Sequence, residues 1–300
     1  MRLAISSPRI NDILVYKAIF RDHKINVLIT YASKVDKEAF QETYRDEIGC
    51  LLLDSGAYTL NKSQWTRQMF DIAKKYGHFA SAAASCYDLM FNLDEDFSIY
   101  GREANLRNQL YLERHGVDAI PVVHDLFRGE IEYYIGQGYK IVAIGQCEEG
   151  RAFDQMESAV WRFHNKGVLV HIFGNTNYNH LAGMPAWSSD SSSWSRYLKY
   201  GNVMWWNNHK EPTTKNPGYD RLYFPKDNSQ PDPKRGNFYL TYNHRKEFEE
   251  YLGNTLNIEI GHLLGVNRVQ YRNLLNIVFF TEMERRITAA HAKNGWSFKC

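Results

Sequence analysis

Short apolar runs recur along the chain at intervals of a few tens of residues, and stretches with apolar residues at helical spacing lie between them. This alternation predicts repeated strand and helix units around a parallel sheet. The predicted strands are at 25–31, 50–53, 79–84, 119–123, 140–144, 168–173, 186–189 and 202–206. Strands covered on both faces read as nearly continuous apolar segments, as VLIT, LLLD, IPVV, IVAI and VLVHIF do; AWSSD is the weakest by this measure. Between the runs, SQWTRQMFDIAKKYG (63–77) opens on a capping serine and closes at a glycine, and 97–116, 128–138 and 151–167 behave alike. The pattern predicts an α/β fold, a (β/α)8 TIM-type barrel over 1–206, in preference to an open doubly wound sheet.

Beyond Trp206 the pattern changes. Five of the eight prolines fall within 207–242 among polar and charged residues, which predicts a long, irregular, exposed loop. From 243 to 300 the spacing predicts helices, in NHRKEFEEYLG, TLNIEIGHLLG and the long segment from Val266. Leu274, Ile277, Val278, Phe279 and Phe280 form a broad apolar face there, expected to pack a C-terminal helical appendage on the barrel.

Composition narrows the function classes. The chain has 36 Lys and Arg against 34 Asp and Glu, so nucleic-acid binding requires a local patch. Cys50, Cys86, Cys147 and Cys300 lie far apart with no CxxC or Cys/His spacing, which argues against a metal site. They read as reduced thiols, the first three as small buried hydrophobes. MRLAISSPRIND has no long apolar stretch, and no window approaches ~18 consecutive apolar residues. A soluble cytoplasmic protein without a membrane partner is expected.

Active sites of parallel barrels form at the carboxyl ends of the strands, so polar residues after apolar runs are the candidates. In LLLDSGAYT, Asp54 meets a tight turn through Ser55 and Gly56, with Tyr58 close by; an aspartate there also serves as a helix cap. SCYDLMFN supplies Asp88, and VVHDLFRG supplies His124 and Asp125. A lone aspartate at such a place also reads as a loop cap, and His124 as a core histidine. VAIGQCEEG carries Gly145 and Gln146, and VHIFGNTNYN carries Gly174, Asn175 and Asn177. In PAWSSDSSSW, Asp190 sits among serines between Trp187 and Trp194. Two separated rim carboxylates suit displacement at a sugar carbon, one attacking the anomeric centre while the other moves protons.

In their order along the chain, DSGAYT, a rim aspartate, AIGQ, HIFGN and SSDSSSW resemble the tRNA-guanine transglycosylase superfamily, over about residues 25–206. The resemblance implies Asp190 as nucleophile, Asp54 as general acid and base, and Asp88 as the residue that reads the base. It also implies a substrate pocket at Gly145, Gln146, Gly174 and Asn175, with Ser55, Tyr58 and His124 beside it. Members acting on tRNA carry a cluster of cysteines and a histidine after the nucleophile, and an extended arginine-bearing sequence; neither is present here. The chain is therefore most similar to the phage-type 7-deazaguanine DNA transglycosylases. That implies exchange of a flipped guanine in DNA for a 7-deazaguanine base through a covalent aspartyl intermediate, without a cofactor.

The expected partners are DNA and the small-molecule base, and a homodimer is compatible with the sequence. Tyr58, Tyr87, Phe91, Tyr178, Trp205 and Trp206 are candidates for base stacking. Lys210, Lys215, Arg221, Lys226, Lys234 and Arg235 in the loop, or Arg245, Lys246, Arg268 and Arg272 in the helices, are candidates for phosphate contacts, and such charge runs also read as solvated faces. The rival readings are a tRNA-guanine transglycosylase, a barrel glycoside hydrolase using Asp54 and Asp190, and a non-catalytic nucleic-acid-binding relative.

Overall fold

The computed structural model describes residues 1–62, 69–148, 150–213, 216–224 and 236–298. They divide into two compact units, the first made of Met1–Ser7, Lys24–Ser191 and Ile287–Cys300, the second of Pro8–His23 and Ser192–Arg286.

The first unit is built on a nine-stranded parallel sheet. Its strands are β1 (Arg2–Ser6), β2 (Ile25–Thr30), β3 (Ile48–Asp54), β4 (Leu89–Phe91), β5 (Ala119–Ile120), β6 (Val122–Val123), β7 (Ile141–Ile144), β8 (Leu169–Ile172) and β9 (Ser188–Ser191). They pair in the order β5-β4-β3-β2-β1-β9-β8-β7-β6, so the two ends of the sheet are consecutive pieces of chain separated only by Pro121. Proline has no N–H to give to a ladder, which interrupts the strand, yet the Pro121 carbonyl still accepts from the Ala143 amide at 2.9 Å. The sheet thus curls into a nearly closed, barrel-like arrangement. Ala4, Leu28, Cys50, Leu52, Phe91, Ile120, Val122 and Ala143 form a buried core cluster. Burial pushes the Cys50 and Cys147 thiols up to about 12, so both remain protonated packing groups.

Between the strands run α2 (Ala57–Lys62), α3 (Met69–Ala82), α4 (Arg102–Arg114), α5 (Glu130–Gln137), α6 (Phe153–His164) and α7 (Tyr178–Gly183). The strand expected at 79–84 is the end of α3 and the turn after it. Its alanines supply an apolar run, but Ala73, Tyr76, Ala80 and Ala83 are the buried positions, a helical repeat. The strand of that unit is β4, further on. The first strand of the sheet is RLAIS, and the run at 202–206, expected as the eighth strand, does not belong to this sheet.

That run is a strand, but in another sheet. In the second unit, α1 (Ile10–Ile19) precedes α8 (Ser193–Lys199), and β10 (Asn202–Trp206) pairs antiparallel with β11 (Tyr219–Tyr223). β11 in turn pairs parallel with β12 (Asn237–Phe238). The stretch 207–242 is therefore not irregular throughout, and the division of the chain falls at Ser191 rather than at residue 206. The expected helices follow as α9 (Arg245–Leu256), α10 (Ile260–Leu264) and α11 (Arg268–Lys293). Leu274, Ile277, Val278, Phe279 and Phe280 are buried. Asn276, also buried, ties the unit together: its Oδ1 accepts from the Met204 amide at 2.9 Å and its Nδ2 donates to the Trp194 carbonyl at 2.9 Å. Trp206 stacks on Phe279 with ring centroids 5.2 Å apart, and the Arg286 guanidinium lies 4.3 Å from the Trp206 ring. Among the described residues, no helix is long and apolar enough to cross a membrane.

One glycine controls how β3 leaves the sheet. Gly56 has φ +85°, and a Cβ there would sit 2.6 Å from the Ala32 Cβ and 2.8 Å from the Thr30 Cγ2. Gly56→Ala is predicted to destabilise the protein by about 1–3 kcal/mol, measured by denaturant unfolding. A loss below about 0.5 kcal/mol would mean that the turn relaxes around the added methyl.

Candidate active site

Because the strands are parallel, their carboxyl ends share one end of the sheet, and there the chain places Ser6, Asp54, Asn92, Asp94, His124, Gly145, Gly174 and Asp190 at or just after a strand. Asp190 lies within β9, in register with Ala4 of β1, and is 7% exposed. Its Oδ2 accepts from the Ser6 hydroxyl at 2.6 Å and its Oδ1 from the Gly174 amide at 2.9 Å. Gly174 adopts φ +66°, a conformation that suits glycine. The His171 Nε2 lies 3.5 Å from Oδ1. Burial alone would raise the pKa of this carboxyl, but His171, Ser6 and Gly174 together outweigh it and hold Asp190 below the usual carboxylate value.

Asp54 ends β3 opposite Thr30 of β2 and responds in the other direction. Burial raises its pKa most, the negative charge of Asp190 adds to this, and Asp94 contributes further. The Gly56 amide and the Thr30 hydroxyl, 3.4 Å from Oδ2, offset only part, so Asp54 is pushed up to about 7. One end of the sheet thus holds an ionised carboxylate and a second carboxyl poised to give or take a proton near neutrality.

A second polar group stands beside them. Asp94, buried, accepts from the Asn92 Nδ2 at 2.8 Å through Oδ1, and its Oδ2 is 3.3 Å from the His124 Nε2. The His124 Nδ1 is 2.6 Å from the Gln146 carbonyl, so it carries a hydrogen. Burial works against charging this imidazole, but Asp94, the Gln146 carbonyl and Glu130 prevail and raise its pKa. Its ring stacks on Phe97 with centroids 4.8 Å apart. Glu130, the first residue of α5, accepts from the amides of His124 and Asp125 at 2.7 Å each and so fixes the turn after β6. Gly145 makes room for the imidazole, since a Cβ there would lie 2.8 Å from the His124 Cε1. Next to this group a cleft of about 550 Å3 is lined by Phe97, Ser98, Ala104 and Gln146 with the carboxylates Glu95, Asp96 and Glu148; neither Asp54 nor Asp190 lines it.

The structure therefore brings Asp54, Asp190, His124, Gly145, Gln146 and Gly174 to one end of the sheet. Ser55 is buried and donates to the Asn92 carbonyl at 3.0 Å, joining the ends of β3 and β4. Tyr58 is exposed on α2. Asn175 shapes the turn after β8, with Oδ1 accepting from the Asn177 amide and its carbonyl accepting from the Ser189 hydroxyl. Asp88 is a correction. It precedes β4, at the amino end, where its Oδ2 accepts from the Leu51 amide at 2.7 Å and pairs with Arg45 at 2.8 Å. The rim aspartate after that strand is Asp94. Sequence reasoning also missed Ser6 and His171, the one because RLAIS went unread as a strand, the other because a lone histidine inside VLVHIF reads as core.

The basic candidates fare differently. Lys210 is paired with Asp220 at 2.8 Å. Arg272 is 3% exposed, donates through Nε to the Leu263 carbonyl at 2.9 Å and lies over the Phe224 ring, and burial lowers its pKa to about 10. It packs in the second unit and does not offer itself to a phosphate. Arg268 reaches the Gly265 carbonyl at 3.5 Å. Lys215, Lys226, Lys234 and Arg235 lie outside the described residues. Of the aromatic candidates, Tyr87, Phe91, Trp205 and Trp206 are buried.

The raised Asp54 pKa fixes the sign of a stability effect. Its contribution is fully present below the ordinary carboxylate value and is lost as pH rises towards and through about 7, because the folded state holds the proton longer than the unfolded chain. Asp54→Asn is therefore predicted to stabilise the fold by about 1–3 kcal/mol at pH 8 and by much less at pH 4, read from denaturant midpoints at the two values. Equal effects at both would refute the assignment.

The chain matches no protein-family model, no curated protein and no solved structure.

Proposed function

We propose that this chain is a base-exchange transglycosylase that replaces guanine in DNA with a 7-deazaguanine base through a covalent intermediate on Asp190. The observation that carries the reading is the divergence of two neighbouring carboxyls, Asp190 held ionised and Asp54 raised to about 7. A double displacement at a sugar carbon uses that division of labour: a carboxylate that attacks, and an acid that shuttles protons on the base. Counting segment 119–123 as one strand broken at Pro121 leaves eight strands, which supports reading the nearly closed sheet as a TIM-type (β/α)8 barrel with its site at the carboxyl ends of the strands.

In this mechanism Asp190 attacks C1′ of a flipped nucleotide, and the C1′–N9 electron pair leaves with guanine, which takes a proton from Asp54. The incoming 7-deazaguanine returns its N9 proton to Asp54 and attacks C1′, and the bond to Asp190 breaks with its electron pair restored to the carboxylate. Two inversions retain the configuration. The role of base reader passes from Asp88 to Asp94, which His124 and Asn92 hold in place, and Phe97 offers an aromatic face at the cleft. DNA is favoured over tRNA by the absence of clustered cysteines in the sequence.

Incubation with radiolabelled guanine and separate DNA and tRNA pools tests this. Label is expected in DNA alone; Asp190→Ala should abolish incorporation, and Asp54→Asn should slow it by about 10²- to 10⁴-fold. Label confined to tRNA would overturn the substrate, and full activity in Asp190→Ala would overturn the nucleophile.

A further inference from the structure

His171 sits in β8 with no exposed surface, in register with the core residue Ala143 of β7. Phe91 and Phe173 flank it, both at centroid distances of 4.7 Å. An imidazole among phenyl rings is costly unless its nitrogens are satisfied. Nδ1 is 2.8 Å from the Ser188 Oγ, and Nε2 faces the Asp190 Oδ1 at 3.5 Å. A lone pair on Nε2 would face the lone pairs of the carboxylate. The favourable arrangement therefore has Ser188 donating to Nδ1 and the Nε2 hydrogen directed at Asp190. The other groups facing Asp190 are Ser6 at the end of β1, the Gly174 amide after β8 and the like charge of Asp54 at the end of β3.

We propose that His171 is the positioning residue of Asp190, its Nε2 hydrogen orienting the carboxylate for attack and stabilising the charge that returns to it when it departs. The inference rests on the transglycosylase reading of Asp190. In the first displacement an Asp190 oxygen bonds to C1′ as the C1′–N9 pair leaves with guanine, and the resulting ester is uncharged. In the second, N9 of the incoming base bonds to C1′ after its proton passes to Asp54, and the C1′–O pair returns to Asp190. Negative charge then returns to the carboxylate that His171 faces, so the donor acts most strongly on this step. An apolar residue at 171 would make Asp190 a more basic and poorer leaving group, and the covalent adduct would accumulate.

The test uses the full chain with a guanine-containing DNA duplex and a radiolabelled 7-deazaguanine. His171→Phe is expected to lower incorporation about 10²-fold while the fraction of DNA trapped on denatured protein rises. His171→Gln, which keeps an N–H donor, should recover much of the rate. The Asp190 carboxyl carbon, followed by NMR over a pH series, should titrate higher in His171→Phe than in the parent. Equal loss of adduct and turnover in both variants, with the Asp190 titration unmoved, would overturn the proposal and leave His171 as packing. If the parent forms neither adduct nor exchanged DNA, the transglycosylase reading falls, and an unmoved titration in His171→Phe would separately dismiss the pairing.

Discussion

A negative charge sealed at the end of a parallel sheet sets the terms for the candidate site. Asp190 stays ionised because a hydroxyl from β1, an amide from the turn after β8 and an imidazole from β8 converge on it. These groups arrive on two segments of chain, β1 on one side and β8 with its following turn on the other, and only the strand order that sets β9 between β1 and β8 brings them together. That retained charge then acts on its neighbour, helping to keep the proton on Asp54 at pH values where an ordinary aspartate has lost it. The two carboxyls differ in role because they differ in surroundings, not in chemistry.

The turns around them serve the same end. Gly56 lets β3 leave the sheet against Thr30 and Ala32, Gly174 turns its amide toward Asp190, and Gly145 leaves room for the His124 ring. On the far side of the group, Glu130 takes two amides after β6 and so holds the turn that carries His124 towards Asp94. These contacts link strand ends and turns rather than exposed loop tips, an arrangement that holds the polar groups in fixed orientations. The second unit follows a different principle, with a buried asparagine and stacked aromatic rings joining β10 to α11.

Periodicity in the sequence reports which positions are buried, and from it most strands of the first unit and the C-terminal helices could be read. It does not report which strand pairs with which. NVMWW is as continuously apolar as any strand of the parallel sheet, yet its partner is the antiparallel β11, because pairing is settled by where the following chain returns. The run FASAAAS shows the other weakness: small apolar residues satisfy a strand pattern while the buried positions keep the helical repeat. Because the strand is Leu89–Phe91 and not 79–84, the aspartate at its carboxyl end is Asp94, and Asp88 lies at the opposite end.

What the sequence determined by itself was a parallel α/β architecture and a set of carboxylates after apolar runs, Asp54 and Asp190 among them. Their electrostatic character was decided by the tertiary structure alone. The Ser6 hydroxyl that helps hold Asp190 ionised is 184 residues away along the chain, and the charge that helps raise Asp54 belongs to another strand. Coulomb and hydrogen-bond energies depend on distances of a few ångströms and on exclusion of water, and no spacing along a linear chain encodes either.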